Sequence, residues 1–288
     1  MMIINPYRFS AGGSTLLLDE TGLGSAHGAY SVARKLRGAY SGSAIRVRRS
    51  SDNAEQDIGF SSDVLDESAL TTFIGANDGF IVTIYDQSGN TKDATQSNTS
   101  DQAKIVSSGT VTKDNGKPAA ELAVGNYYAY SGGTISAQTA VSILGVFNAS
   151  AAAGTSNIKY AVGIRGTTSP VALRYGKTGN SSFENKLGMI TNGSTNAALS
   201  SAANTNQLLG IGVGNGTALS FYENNNAEVS TTDSTLSFTN DAIGLAAKYD
   251  GAFVMGADYW QEGVIWLSDK EAYVSTVKSN VNGFYSIY

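Results

Sequence analysis

Apolar and polar residues alternate along most of this chain, in short runs that stop at glycine, asparagine or aspartate. A period of two between turn residues predicts half-buried β-strands. "SAIRVRRSS" (43–51) is such a run, and "DIGF" (57–60) is a shorter one. "GFIVTIYDQSGN" (79–90) passes from β-formers straight into a turn. Residues 103–122 read as strand, glycine turn, strand, with Asp114-Asn115-Gly116 as a type I′ hairpin signal. From residue 124 onward strands recur about every ten residues, the spacing of a sandwich. "TAVSILGVFNAS" (139–150) is apolar at most positions and predicts a central strand. Residues 207–229 predict a strong hairpin, with Asn215-Gly216 at its first turn and Asn224 to Asn226 at the next. "AIGLAAK" and "DYWQEGVIWLS" are late strands.

Three stretches depart from the period of two. "AYSVARKLRGAY" (29–40) predicts a short helix ended by Gly38. "SSDVLDESALTTFIG" (61–75) predicts a helix capped by Asp66, with Leu70 and Phe73 on one face. Residues 268–288 predict an amphipathic helix capped by Ser268, with Glu271 three residues on, and then a final strand over 284–288.

Composition sharpens this picture. The chain has 33 Gly but only 3 Pro, which suits short strands joined by tight turns. With 288 residues a large core can be buried without staples. Cysteine is absent, which excludes disulfides, zinc–thiolate sites and thiol nucleophiles, and suggests synthesis in a reducing cytosol. The net charge is -5 and "RKLRGAYSGSAIRVRR" (34–49) is the one basic patch, read as a half-buried strand with a wet face, so no nucleic-acid partner is expected. No run of about 20 apolar residues predicts a membrane helix, and "MMIINPYRFSAGG" does not read as a signal peptide. Residues 1–15 read instead as an apolar docking arm.

Candidate chemistry is sparse. Asp86, Asn90 and Asp93 could supply three oxygens to a calcium ion, which needs six or more. The same residues suit a turn, in which Asp and Asn bind nearby N–H groups and Gly89 supplies positive φ. His27 is the sole histidine, and no Gly-x-Ser-x-Gly elbow accompanies it. "GIGVGNG" (210–216) lies within a hairpin rather than before a helix, so it reads as a packed strand and not as a phosphate cradle. Tyr127, Tyr128, Tyr222, Tyr259 and Trp260 lie close to polar residues and are candidates for glycan binding, with sandwich core as the competing role.

The order "AYSVARKLRGAYSGSAIRVRRSSDNAEQDIGF" followed by "IVTIYDQSGN" resembles the start of the catalytic domain of the arabinofuranosidase B family, over 29–122. That resemblance implies a laminin-G/concanavalin-like β-sandwich. It falls on a scaffold segment and not on that family's catalytic pair. It also implies a nucleophile in a Glu-Asn-Gly run late in the sandwich, and the nearest run here is "SFENKLG", with Glu184 and Asn185 but no glycine. The implied acid is an Asp shortly after a Gly-Ile-Gly-Gly stretch. In "AIGLAAKYDGAF" Lys248 stands at about that position and Asp250 two residues on, an offset that preserves the face of a strand. Glu184 and Asp250 are therefore the catalytic candidates, and the disulfides of the family cannot form here. The same module resembles one in bacteriophage structural proteins, where an Asn-Pro-Tyr start and an ending like "WQEGVIWLSDKEAYVSTVKSNVNGFYSIY" bracket it, as both do here.

The expectation is an all-β, concanavalin/laminin-G-like jelly-roll β-sandwich with a few short helices, comprising an arm over 1–15 and one domain over 16–288. Its expected role is non-enzymatic: a bacteriophage virion structural protein, as a head decoration or a head/tail appendage. It would be made in the host cytoplasm and displayed on the virion surface. The arm residues Ile3, Ile4, Pro6, Tyr7 and Phe9 would dock on other virion proteins. A homo-oligomer and a surface glycan are expected partners; no cofactor and no membrane insertion are expected. The alternatives are a glycoside hydrolase of the arabinofuranosidase B type and a plain carbohydrate-binding module.

Overall fold

In the computed structural model, residues 15–123, 125–148, 158–165, 171–176, 186–191, 196–199, 206–247 and 258–288 are described. Their strands pair antiparallel and form two layers of a jelly-roll-like sandwich. The first layer runs from Glu55–Ile58 through Ile45–Arg49, Gly79–Ile84, Ala94–Thr95, Tyr128–Tyr130 and Ile243–Leu245. It continues through Ile158–Ile164, Val171–Gly176 and Leu187–Thr191 to Asn196–Leu199. In the second layer Val141–Asn148 lies between Gln207–Gly214 and Asp258–Trp266. Ala218–Glu223 and Val229–Thr232 extend one side, while Gly28–Ser31 and Ala120–Leu122 pair with Asp258–Trp266 on the other. Lys104–Ser107 pairs with both Gly79–Ile84 and Ala120–Leu122, and so joins the layers along one edge.

The two faces of the second layer explain its apolar sequence. Ile143 and Phe147 point into the core between the sheets, whereas Leu144 and Val146 point outward under a second apolar cluster. That outer cluster holds Leu17, Leu18, Leu23 and Leu36 together with Val274, Val277, Val281 and Tyr285 of the helix Val274–Tyr285. A strand covered on both faces must be apolar on both, which removes the alternation from Val141–Asn148.

Glycines in this layer make room for the facing sheet. A Cβ on Gly212 would meet Met189 Sδ at 2.4 Å and Met189 Cβ at 2.7 Å, and one on Gly263 would meet Val162 Cγ2 at 2.7 Å. Residues 210–214 of "GIGVGNG" are strand, and the space over Gly210 and Gly212 is filled by Leu173 and Met189 from across the core. Gly212→Val is expected to lower stability by about 1–3 kcal/mol through overpacking. A urea midpoint equal to that of the parent would show that the layers can part at no cost.

Helix Glu67–Ile74 forms where expected, with the Asp66 carboxylate accepting from Ala69 N at 2.9 Å. Asn115 and Gly116 both have positive φ, the signature of a type I′ turn, in the hairpin joining Lys113–Asp114 to Lys117–Pro118. Residues 29–40 are not a helix. Ser31 Oγ accepts from Ala33 N and Arg34 N, and Gln87 Oε1 accepts from Leu36 N. Val32 N donates to Gln261 O. Side chains and the neighbouring strand thus satisfy the backbone groups that a helix would have paired within itself. The C-terminal helix has no side-chain cap from Ser268, because a 3-10 turn over Glu271–Tyr273 precedes it. No final strand forms: Phe284 and Tyr285 stay in the helix, which ends with left-handed Ser286.

Candidate functional site

At one end of the sandwich, charged groups from both layers converge between the sheets. Lys159, near the start of Ile158–Ile164, and Asp258, the first residue of Asp258–Trp266, meet across the gap with Nζ and Oδ2 2.8 Å apart. Both side chains are almost fully removed from water. Tyr175, near the end of Val171–Gly176, and Glu223, the last residue of Ala218–Glu223, are buried there as well. Burial pushes the Tyr175 hydroxyl above the usual tyrosine range, and the charges of Asp258 and Glu223 push it further. It therefore keeps its proton at neutral pH. The hydroxyl is buried and makes no hydrogen bond. A buried donor left without a partner is rare and calls for a reason.

Sequence reading missed Lys159, Tyr175, Glu223 and Asp258. Strand parity carries the signal for two of them. Phe221 and Trp260 point into the core, so Glu223 and Asp258, each two residues away, face inward as well.

The other sequence candidates lie elsewhere. Trp260 is buried, and its Nε1 donates to Ala161 O at 3.1 Å. The buried Tyr128 hydroxyl accepts from Ala103 N and donates to Ile81 O. The Tyr222 hydroxyl donates to Glu271 beneath the ammonium of Lys278, whose Nζ is 5.0 Å from the ring. These three rings have no free face on which a sugar could stack. Tyr127 and Tyr259 are half-buried. Glu184, Lys248, Asp250 and the arm residues Ile3, Ile4, Pro6, Tyr7 and Phe9 lie outside the described residues.

The "YDQSGN" loop is a clasp. Asp86 Oδ1 accepts from Ala29 N and Ser88 N, each at 2.9 Å; Oδ2 accepts from Ser88 Oγ at 2.7 Å and Lys92 N at 3.1 Å. Asp93 Oδ1 accepts from Asp86 N, and Asn90 Nδ2 donates to Ala26 O and His27 O. The oxygens that calcium would need are pointed at N–H and O–H donors. Among the described residues no group of three or more His, Asp or Glu could hold a metal ion. Asp86→Ala is expected to cost about 3 kcal/mol by orphaning buried donors, read from urea denaturation, with Asp86→Asn costing less. A loss within about 0.5 kcal/mol of zero, the scale of a surface change, would contradict the clasp.

At the opposite end of the sandwich His27 Nε2 and Lys92 Nζ both contact Asp241. Burial lowers the His27 pKa, outweighing the opposing pull of Asp241, so the ring is neutral at pH 7. Among the described residues no helix is long and apolar enough to cross a membrane.

The family model described as "Alpha-L-arabinofuranosidase B, catalytic" matches residues 20–163, half of the chain. No curated protein matches. Among solved structures, a Glu-to-Gln mutant of a GH54 α-L-arabinofuranosidase soaked with 4-nitrophenyl α-L-arabinofuranoside superposes with a TM-score of 0.68 at 16% identity, over 89% of this chain and 62% of that one. A GH54 α-L-arabinofuranosidase soaked with a cyclic sulfate inhibitor gives 0.63 at 15% identity, with the same coverage of both chains. An arabinofuranosidase complexed with arabinofuranosyl-α-1,2-xylobiose gives 0.59 at 15%, again over 89% and 62%. At these identities the likeness is one of fold, and this chain spans 62% of the length of those proteins.

Proposed function

The chain belongs to the alpha-L-arabinofuranosidase B catalytic family, and on that premise we propose that it hydrolyses α-L-arabinofuranosides at the Tyr175 end of the sandwich. The observation that carries this reading is the buried, unpartnered Tyr175 hydroxyl beside two inward carboxylates. Within the protein that hydroxyl is a cost; next to a furanose ring it is a hydrogen-bond donor with an acceptor. In the proposed reaction the Glu184 carboxylate attacks the anomeric carbon while Glu223 protonates the departing glycosidic oxygen. The C–O bond breaks and a glycosyl ester forms. Glu223 then takes a proton from water, which cleaves the ester and frees arabinose. The Asp258–Lys159 pair acts as a positioning element that fixes the ends of its two strands across the gap. A virion-surface location, docking through the arm and homo-oligomerisation are proposals that rest on the sequence.

The test is release of nitrophenolate from 4-nitrophenyl α-L-arabinofuranoside, by the parent and by Tyr175→Phe. Because the hydroxyl has no protein partner, Tyr175→Phe is expected to leave the melting temperature unchanged or raised. It is expected to lower kcat by about 100-fold, the effect of removing one donor from a reacting site. A silent parent, or a variant with full activity, would overturn the reading.

A further inference from the structure

We infer that a pocket on the outer face of the same end holds one ring of a neutral oligosaccharide. The pocket encloses about 340 Å³ and is lined mainly by Asp114, Asn115, Asn148, Asn206, Gln207 and Ser286. This inference does not depend on the hydrolase reading. Asn148 and Tyr259 are register partners on neighbouring strands. Tyr259 follows Asp258 directly, so its side chain takes the opposite face from the Lys159 pair.

The lining selects the ligand class. Among the described residues its side chains are amides, a hydroxyl and one carboxyl, with Ile287 as the one aliphatic residue. Among the described residues no lysine or arginine lines it, which disfavours phosphate and other anions. A single carboxyl does not suffice for a divalent cation. Planar amides present a donor and an acceptor side by side, the pattern of two adjacent sugar hydroxyls. Several of them are already held in place. Asn148 Nδ2 donates to Asp114 Oδ1 at 3.2 Å, and Asn115 Nδ2 donates to Gln207 Oε1 at 2.9 Å and to Tyr285 O at 2.7 Å. Asp114 Oδ2, in contrast, is shielded from solvent and accepts no hydrogen bond. A sugar hydroxyl donating to Oδ2 would remove that deficit. The half-buried Tyr259, register partner of the lining residue Asn148, is the aromatic residue on that face of the strand with which a sugar ring could stack.

Nitrogen-15 NMR titrations of the full chain with xylobiose and with arabinofuranosyl-α-1,2-xylobiose test this, read at the side-chain amides of Asn115, Asn148, Asn206 and Gln207. Saturable shifts at these amides are expected with at least one of the two sugars, at millimolar affinity. Asn148→Ala should weaken binding about tenfold, and Asn206→Ala, at an exposed position, serves if the first variant does not fold. Tyr175→Phe should bind in this pocket as the parent does. Absence of shifts with both sugars overturns the inference, as does undiminished binding by a folded pocket variant. Pocket shifts without arabinoside turnover would leave the subsite standing and remove the hydrolase reading; turnover without pocket shifts would do the reverse.

Discussion

Glu262→Leu alone is expected to destabilise the protein by about 3–5 kcal/mol, because it strands a buried guanidinium. Arg34 Nε and Nη2 donate to the two oxygens of Glu262, each at 2.8 Å, and Nη1 donates to Asn280 Oδ1 at 2.9 Å. The Tyr285 hydroxyl donates to Glu262 at 3.0 Å. Arg34 is 3% exposed and Glu262 not at all, so water cannot replace a lost partner. One ion pair thus ties the segment after Gly28–Ser31, the last strand and the C-terminal helix together. It also removes Glu262 from catalysis, since the side chain lies on the outer face of the second layer among groups that consume its charge. The double variant Arg34→Met with Glu262→Leu should recover most of the loss, as apolar replacements of buried pairs do. Urea unfolding of both singles and the double closes the cycle. A single-variant loss below about 1 kcal/mol, the scale of an exposed pair, would mean that the pair is hydrated.

Glu184→Gln is expected to lower kcat by at least about 1,000-fold on every arabinofuranoside, since removing a nucleophile removes the covalent route. Glu223→Gln should behave differently. Nitrophenolate leaves without protonation, so kcat/KM for 4-nitrophenyl α-L-arabinofuranoside, which reads the first step, should fall little. Its kcat should fall, because Glu223 also serves as the base of the second step. For arabinofuranosyl-α-1,2-xylobiose, whose leaving oxygen is a sugar alkoxide, kcat/KM should fall by about 100- to 10,000-fold, the worth of a general acid. Equal losses of kcat/KM on the two substrates would take the acid role away from Glu223. The split does not arise from loss of packing, which lowers both rates together.

The sequence was most legible where local physics acts alone. The Asp66 cap, the Asn115-Gly116 turn and the two-faced burial of 141–148 follow from residues that are neighbours in the chain. It misled where distant residues supply the hydrogen bonds. Residues 29–40 have helix-forming composition, but Gln87 and the strand at Gln261 take the backbone groups first. The final strand failed for a similar reason: Phe284 and Tyr285 cover the Arg34 guanidinium, at 5.1 and 5.5 Å from their ring centres, from a helix. The candidate site was the least legible part. Lys159, Tyr175, Glu223 and Asp258 come from four strands spread over a hundred residues, and nothing in their spacing announces that they meet. The family match ends at residue 163, so of these four it contains Lys159 alone. The scaffold half is the recognisable half, and the three groups around the proposed reaction lie in the other.

The most direct measurement is intact-protein mass spectrometry after incubation with a cyclic sulfate of arabinofuranose configuration, followed by peptide mapping. A carboxylate nucleophile opens such a ring and keeps the sugar as an ester. The account predicts one adduct, on the peptide that contains Glu184, and none in Glu184→Gln. An unmodified parent protein, or an adduct on any other residue, would contradict arabinofuranoside hydrolysis by this carboxylate.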